Sequence, residues 1–188
     1  FSNLSLIYIE TPANPTNEII DIEMCKKIAD HFSTNTKKVF LATDNTYMGP
    51  IWSHPLKHGA DIVLYSATKF IGGHSDVIAG AVLGKNEIIN RIKVLRTFLG
   101  NMASPNTCWL LLRSLETLKV RMDQQAKNTI EVAAYLKTQS KIVKLHFLGN
   151  INEKSKKYKV YKKQYSSSGA LIAFEIKGGE KEAFTFLN

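Results

Sequence analysis

Short apolar runs alternate with helical periodicity along the first half of the chain. The runs lie at residues 6–9, 39–42, 62–65 and 79–83. Runs this short and continuously apolar predict strands that are buried on both faces of a sheet. Between the first two runs, apolar side chains from Asp21 to Phe32 recur at helical spacing, which predicts a helix. The pattern indicates an α/β layer built on a mostly parallel sheet.

Helical periodicity dominates the second half of the chain. We predict one helix that is capped by Asn86 and ends at Gly100, and a long helix from Pro105 to Leu136. Beyond it, apolar strands at 142–145 and 169–176 and a helix from Glu180 predict a smaller α/β unit. We therefore expect part of a large domain at residues 1–120, and a linking helix with the start of a C-terminal domain at 121–188.

The positive charge of the chain is concentrated in one segment. The 188 residues include 25 Lys and Arg against 16 Asp and Glu, a formal net charge of +9. Between Lys137 and Lys163 there are nine lysines and a single acid, Glu153. Because charge runs are usually solvated, we predict a lysine-rich surface loop here, with nucleic-acid binding as the weaker alternative.

Cysteine content and hydropathy limit the class of protein. Cys25 and Cys108 match neither a disulfide framework nor a zinc-binding spacing, and we predict both as small core residues. No apolar run approaches the roughly 18 residues of a membrane span, and the pattern of a signal peptide is absent. We expect a cytoplasmic protein with neither a membrane nor a nucleic-acid partner.

The candidate chemistry lies between residues 42 and 80. Asp44 follows the second apolar run, and Ser66, Thr68 and Lys69 follow the third. Because the carboxyl ends of parallel strands open onto a ligand crevice, these side chains are expected at one edge of the sheet. Pyridoxal phosphate needs a lysine for its Schiff base, an acid for its ring nitrogen and hydroxyls for its phosphate. A simple ion pair between the carboxylate and the lysine is the alternative.

Two histidine groupings do not support other chemistry. His74, Ser75 and Asp76 are consecutive, and three consecutive side chains cannot converge as nucleophile, base and orienting group. His54 and His58 have helical spacing but lack an acidic or cysteine partner. We therefore predict neither a catalytic triad nor a metal site.

Six short motifs are informative when they are taken together. They are ETPANP at 10–15, DNTY at 44–47, GADIV at 59–63, SATKF at 66–70, GHSD at 73–76 and RSLETL at 113–118. With these motifs the sequence resembles the Cys/Met-metabolism (transsulfuration) family of pyridoxal phosphate enzymes. That family includes cystathionine lyases and synthase, methionine gamma-lyase and homoserine sulfhydrylases. The resemblance covers nearly the whole chain.

The resemblance implies a fold and a set of residue roles. The fold would be aspartate aminotransferase-like, of type I among pyridoxal phosphate enzymes. Lys69 would be the cofactor lysine and proton shuttle, and Asp44 would pair with the pyridinium nitrogen. Ser66 and Thr68 would contact the phosphate, and Asn14 would lie near the phenolic oxygen of the ring. Simpler interpretations stay open: a cap or turn for Asp44, strand-end hydroxyls for Ser66 and Thr68, and a turn-shaping role for Asn14.

The resemblance also implies an activity. The enzyme would be a carbon–sulfur lyase that performs beta- or gamma-elimination on cystathionine or methionine and releases a 2-oxo acid, ammonia and a thiol. A gamma-replacement enzyme of the cystathionine gamma-synthase or O-acetylhomoserine sulfhydrylase type would use the same residues, and a non-catalytic basic binding module is a remote alternative. Residues 96–100 lack the Lys-Asp pair of the best-known methionine gamma-lyases, which favours cystathionine.

Finally, the resemblance predicts that residues outside this chain complete the site. Absent are the family's glycine-containing phosphate loop, the tyrosine that stacks on the ring and the arginine that binds the substrate carboxylate. The tyrosine and arginine lent by a neighbouring subunit are absent as well. We expect the chain to be the middle of a longer enzyme, inactive as an isolated piece, and the enzyme to be a homotetramer built of dimers.

Overall fold

A four-stranded sheet forms the centre of the first half of the molecule in the computed structural model, which describes residues 3–188. Its strands are β1 (Leu6–Glu10), β2 (Phe40–Asp44), β3 (Ile62–Ser66) and β4 (Gly80–Gly84). They lie side by side in chain order. β1, β2 and β3 are parallel, whereas β4 pairs antiparallel with β3. The predicted mostly parallel sheet is confirmed.

Helices flank this sheet, and a second, smaller sheet follows them. The helices are α1 (Ile22–His31), α2 (Gly49–Trp52), α3 (Asn86–Leu99), α4 (Pro105–Leu115), α5 (Leu118–Lys137), α6 (Lys156–Gln164) and α7 (Glu180–Leu187). Single helical turns lie at Pro55–His58, Thr68–Gly72 and Leu148–Asn150. The smaller sheet pairs β5 (Ile142–His146) antiparallel with β6 (Ala173–Ile176), which is shorter than the predicted strand at 169–176.

The first hydrophobic core lies between the sheet and α1. Asp21 caps α1 by accepting a hydrogen bond from the Met24 amide at 3.1 Å. Ile22 of α1 is fully buried, and so are Leu41 of β2 and Val63 of β3. Burial of such side chains supplies about 1.5–3 kcal/mol each. This packing holds β1, β2 and β3 in register, so that their carboxyl ends form one edge.

A second core joins the first half of the chain to the second. Met48 and Trp52, which follow β2, pack in one buried cluster with Met122 of α5 and with Leu148 and Tyr165. Met48 and Met122 are completely buried. α5 is therefore packed directly against the segment that follows the second strand.

The predicted long helix at 105–136 is wrong, because it is two helices. α4 ends at Leu115 and α5 begins at Leu118. The Arg121 guanidinium lies at this break and donates a hydrogen bond to the Ser114 carbonyl at 2.9 Å. The predicted cap at Asn86 is also wrong: Lys85 occupies the N-cap position of α3 without a side-chain hydrogen bond.

The predicted lysine-rich loop is wrong as well, because residues 156–163 of this segment belong to helix α6. Ser155 caps α6 by accepting a hydrogen bond from the Tyr158 amide at 3.1 Å. Lys157 and Lys163 form ion pairs with Glu18 at 2.8 Å and Glu23 at 2.5 Å. Two lysines of α6 thus attach this helix to the first part of the chain through ion pairs.

The two cysteines are both free thiols. Cys25 is half-buried and packs against the first core. Cys108 is exposed on α4, so its assignment to the core is wrong. Its place on the outward side of α4 is a tertiary property, because helical periodicity alone does not say which face is covered.

Candidate active site

A cleft with a volume of about 890 Å³ lies at the carboxyl edge of the four-stranded sheet. Its wall includes Glu10 at the end of β1, Thr46 just after β2, and Thr68 and Lys69 just after β3. The volume is within the range of small-molecule sites. The parallel register brings these strand ends together, as expected for a sheet of this type.

Lys69 lies in the turn Thr68–Gly72, and its exposed side chain lines the cleft. Its backbone departs from helical geometry, with φ −82° and ψ −116°. The Gly73 amide closes the turn by donating to the Lys69 carbonyl at 2.7 Å. Gly73 has φ +70°, a conformation that favours glycine, so the residue type at this position is set by the turn.

Asp44 is the last residue of β2 and is half-buried. Its Oδ1 accepts a hydrogen bond from the Thr46 amide at 2.9 Å, and its Oδ2 accepts one from the Tyr8 hydroxyl at 3.2 Å. Burial, followed by the charge of Asp44, raises the pKa of Tyr8. Tyr8 therefore stays protonated as a donor at neutral pH. The bond to the Thr46 amide is typical of a turn residue, and both carboxylate oxygens of Asp44 accept hydrogen bonds.

Thr46 links the ends of β2 and β3. Its hydroxyl accepts a hydrogen bond from the Ser66 amide at 2.7 Å, and its own amide binds Asp44. Asp44 and Ser66 are thereby tied to the cleft through Thr46, which lines it directly. The sequence motif DNTY contains this threonine, yet no role was predicted for it.

The Thr68 hydroxyl is engaged with the backbone of Ala79. It donates to the Ala79 carbonyl at 3.3 Å and accepts from the Ala79 amide at 3.0 Å. These contacts are those of a strand-end hydroxyl, which was one of the two interpretations of this residue. To donate to a phosphate, the hydroxyl would have to exchange its long bond to the Ala79 carbonyl, because it has one proton. Thr68 thus anchors the turn that carries Lys69 to the residue before β4.

Asn14 lines the cleft from the segment after β1 and is exposed. Its amide donates to Glu10 Oε1 at 3.4 Å, and the peptide bonds before Pro12 and Pro15 are cis. The segment is held from the other side by Asn17, whose side chain donates to the His146 carbonyl at 2.6 Å. Asn14, Thr68 and Lys69 therefore share one cleft.

Arg121 of α5 also lines the cleft, and the sequence did not single it out. Its guanidinium donates to the carbonyls of Phe70 at 2.9 Å and Ile71 at 3.4 Å, in addition to that of Ser114. Burial lowers the pKa of Arg121, but an arginine stays protonated in proteins. No local pattern distinguishes this arginine from the other basic residues of the chain.

The histidines make local contacts. His74 Nδ1 lies 2.6 Å from the Gly72 carbonyl, and His58 Nδ1 lies 3.4 Å from Glu23 Oε1. Within residues 3–188, no group of three or more His, Cys, Asp or Glu side chains is arranged to hold a metal ion. Over the same residues, none of the helices has both the length and the apolar character needed to cross a bilayer.

The residues of the cleft fit pyridoxal phosphate. An exposed lysine projects into a cavity large enough for the cofactor. At the end of the neighbouring strand lies a carboxylate that accepts two hydrogen bonds. A lysine for covalent attachment and an acid for the ring nitrogen are the groups that this cofactor requires of its protein. The class that the fold and the cleft define is a pyridoxal phosphate-binding α/β protein.

Comparison with known families agrees with this geometry. A profile of the family described as "Cys/Met metabolism PLP-dependent enzyme" matches residues 2–188, and the chain belongs to this family. The chain is 38% identical over 188 residues to an L-methionine gamma-lyase of Fusobacterium nucleatum, covering 99% of this chain and 46% of the relative. It is 39% identical over 183 residues to the cystathionine gamma-lyase of Homo sapiens, covering 97% and 44%.

Solved structures are similar over the same extent. metB from Corynebacterium glutamicum superposes with a TM-score of 0.90 at 34% identity, covering 99% of this chain and 47% of that one. Cystathionine gamma synthase from Xanthomonas oryzae superposes with a TM-score of 0.89 at 32% identity, covering 98% and 46%. The chain spans about half the length of the curated relatives that it matches.

Proposed function

We propose that this chain carries the cofactor-binding half of a carbon–sulfur lyase that acts on cystathionine or methionine. The observation that carries the proposal is the exposed Lys69 in a cleft of about 890 Å³, together with the Asp44 carboxylate at the end of the adjacent strand, which is linked to the cleft through Thr46. Relatives named as methionine gamma-lyase, cystathionine gamma-lyase and cystathionine beta-lyase support the choice of reaction.

Each of the predicted site residues has a task in this proposal. Lys69 would attach the cofactor, and its amine would move a proton at the substrate α-carbon. Asp44 holds the proton of the ring nitrogen, and its own position is fixed by Tyr8 and Thr46. Ser66 and Thr68 contact the phosphate, and Asn14 lies near the phenolic oxygen.

The cofactor, when bound, supplies an electron sink for the bond that breaks. In β-elimination, the α-proton and the sulfur substituent on the β-carbon would leave. In γ-elimination, a β-proton would also be removed before the sulfur substituent on the γ-carbon departs, and one proton would return to the carbon skeleton. In both cases the sulfur would take up a proton and leave as a thiol. Addition of water then releases a 2-oxo acid and ammonia, so that all atoms of the substrate are accounted for.

The assembly and compartment belong to the same proposal. Large apolar side chains are exposed on α3 and α4, among them Phe98 at 84% and Leu112 at 65%. Exposed apolar patches of this kind mark surfaces that another part of a protein covers, which supports a homo-oligomer. Two free thiols support the cytoplasm, where cysteines stay reduced.

The experiment uses the complete protein purified with its cofactor. We expect a visible cofactor absorbance and release of a 2-oxo acid from cystathionine or methionine, and we expect Lys69→Ala to lose both. Lys127→Ala, an exposed lysine of α5, is the matched control and should keep both. A Lys69→Ala protein that retains the absorbance band and full turnover would show that Lys69 is not the cofactor lysine.

A gamma-replacement reaction is the second candidate, because the superposition with cystathionine gamma synthase is as close as that with the lyases. In replacement, a second nucleophile adds where the first group left. Measuring 2-oxo acid release with and without an added thiol distinguishes the two. Release that is unaffected by the thiol supports elimination, whereas release suppressed by the thiol, with a new thioether formed, supports replacement.

A further inference from the structure

The guanidinium of Arg121 is bound to backbone carbonyls. Nη1 donates to Phe70, and Nη2 donates to Ile71 and Ser114. Nε donates to the Thr117 hydroxyl at 3.1 Å. Three of these four hydrogen bonds thus end on two segments that α5 packs against, the turn after Lys69 and the end of α4, and the fourth ends on Thr117, the N-cap residue of α5.

The turn that carries Lys69 depends on these bonds. A helical turn leaves its last carbonyls without partners inside the helix. Here the Gly73 amide donates to the Lys69 carbonyl, and His74 Nδ1 lies 2.6 Å from the Gly72 carbonyl. Both of these partners are close to the turn in the sequence. The carbonyls of Phe70 and Ile71 are bound by Arg121, about fifty residues further on. Arg121 therefore supplies the hydrogen bonds that fix this turn from a distant part of the sequence.

Gly73 allows the guanidinium to lie against the turn. A Cβ built on Gly73 would overlap Arg121 Nη1, with Cζ 2.6 Å away. Any side chain at this position would push the guanidinium off the two carbonyls. The contact can therefore be disturbed from either partner. Because Gly73→Ala also strains the backbone at φ +70°, Arg121→Lys is the more specific of the two tests.

We propose that Arg121 is a positioning residue, which fixes the backbone around Lys69 and thereby the placement of the lysine amine in the cleft. The inference rests on the proposed function, because it concerns the lysine that would attach the cofactor. A planar fork of N–H donors serves this purpose, whereas the single ammonium of a lysine cannot span two successive carbonyls and that of Ser114. Arg121→Lys is therefore a disruptive substitution that preserves charge.

Preservation of charge makes a pH profile informative. The other charged groups on the cleft wall are Glu10 and Asp76, with Asp44 tied to the cleft through Thr46. Further titratable groups nearby are His74 next to the turn, Tyr47 on the cleft wall and Tyr8, which is bonded to Asp44. None of these groups is changed by Arg121→Lys or Gly73→Ala. A shift in the pH midpoint of the cofactor absorbance would then report a change in position rather than a change in charge.

The test titrates the visible cofactor absorbance of the complete holoenzyme against pH. Arg121→Lys and Gly73→Ala are each expected to shift the midpoint by about 0.5 pH unit or more, roughly a threefold change in proton affinity. The double variant should shift it no further than the larger single shift, because both substitutions remove one contact. Arg91→Lys, an exposed arginine of α3, is the matched control and should leave the midpoint unchanged.

Several outcomes would overturn the inference. Variants that unfold at lower temperature but keep the wild-type midpoint would give Arg121 a merely structural role. Additive shifts in the double variant would show that the two residues act separately. If the wild-type holoenzyme has no cofactor band, or Lys69→Ala retains it, the proposed function fails and this inference with it. A wild-type band that depends on Lys69, with an unmoved midpoint in both variants, overturns the inference alone.

Discussion

At the scale of single residues, two side chains bind the backbone around the proposed cofactor residues: Arg121 binds the turn that carries Lys69, and Thr46 binds the amide of Ser66. Lys69 and Asp44 stand in short motifs at the ends of apolar runs, and parallel pairing of the strands brings those ends together. Thr46 and Arg121 act through bonds to backbone atoms. Such bonds depend on how the side chain and the backbone are placed in three dimensions, and no pattern of residues in the sequence predicts them.

Tyr165 gives a prediction at this scale. It is buried, and its hydroxyl lies 2.8 Å from the Thr11 hydroxyl. Burial raises the pKa of Tyr165 to about 12, partly offset by its hydrogen bonds with Thr11 and Gln164, whereas tyrosine in an unfolded chain ionises near about 10. The stabilisation of about 2 to 3 kcal/mol linked to this shift is fully present below pH ~10 and is lost as the pH rises towards about 12.

An ultraviolet titration of the complete protein checks this value. The difference in tyrosinate absorbance between wild type and Tyr165→Phe should develop only as the pH approaches about 12. Tyr135, which is 65% exposed, provides the comparison, through Tyr135→Phe in the same titration. A Tyr165 difference that develops near the unfolded value of about 10 would mean that this hydroxyl is not buried.

At the scale of elements, the apolar runs predicted strands well, and the errors arose where one pattern hid a tertiary contact. Periodicity continues across the α4–α5 junction, so the break that the Arg121–Ser114 bond accompanies was invisible. Helix α6 was not predicted for a different reason, which is its high content of lysine. The helix is held by only a few inward side chains, of which Tyr161 and Tyr165 pack into or against the second core.

Gln164 at the end of α6 gives a prediction at this scale. Its Oε1 accepts a hydrogen bond from the Ile22 amide at 2.8 Å, and its Nε2 donates to the Ile20 carbonyl at 3.0 Å. Gln164→Ala would leave the buried Ile22 amide without its hydrogen-bond partner, which costs about 1–3 kcal/mol. Urea unfolding of the complete protein should show a loss of that size.

The neighbouring Lys162→Ala is the control for this measurement. Lys162 is exposed, and substitutions at exposed positions usually change the free energy of unfolding by no more than about 0.5 kcal/mol. Equal stabilities of the Gln164→Ala and Lys162→Ala proteins would contradict the view that α6 is docked onto α1 through Gln164.

At the scale of the whole molecule, the fold class was predictable and the division into domains stays a proposal. We propose a boundary between residues 1–120 and 121–188, which falls within α5. The second core spans that boundary, since Met48 and Trp52 pack with Met122 and Leu148. The charge of the lysine-rich segment did not predict this packing, because it reflects the solvated side of α6.

Attachment of the cofactor to Lys69 can be measured directly by chemical reduction. The complete holoenzyme is treated with borohydride, which fixes a pyridoxal phosphate carried on a lysine, and its peptides are then mapped by mass spectrometry. We expect the added mass of the reduced cofactor on the peptide that contains Lys69. The same mass on a peptide containing a different lysine, with Lys69 unmodified, would contradict it.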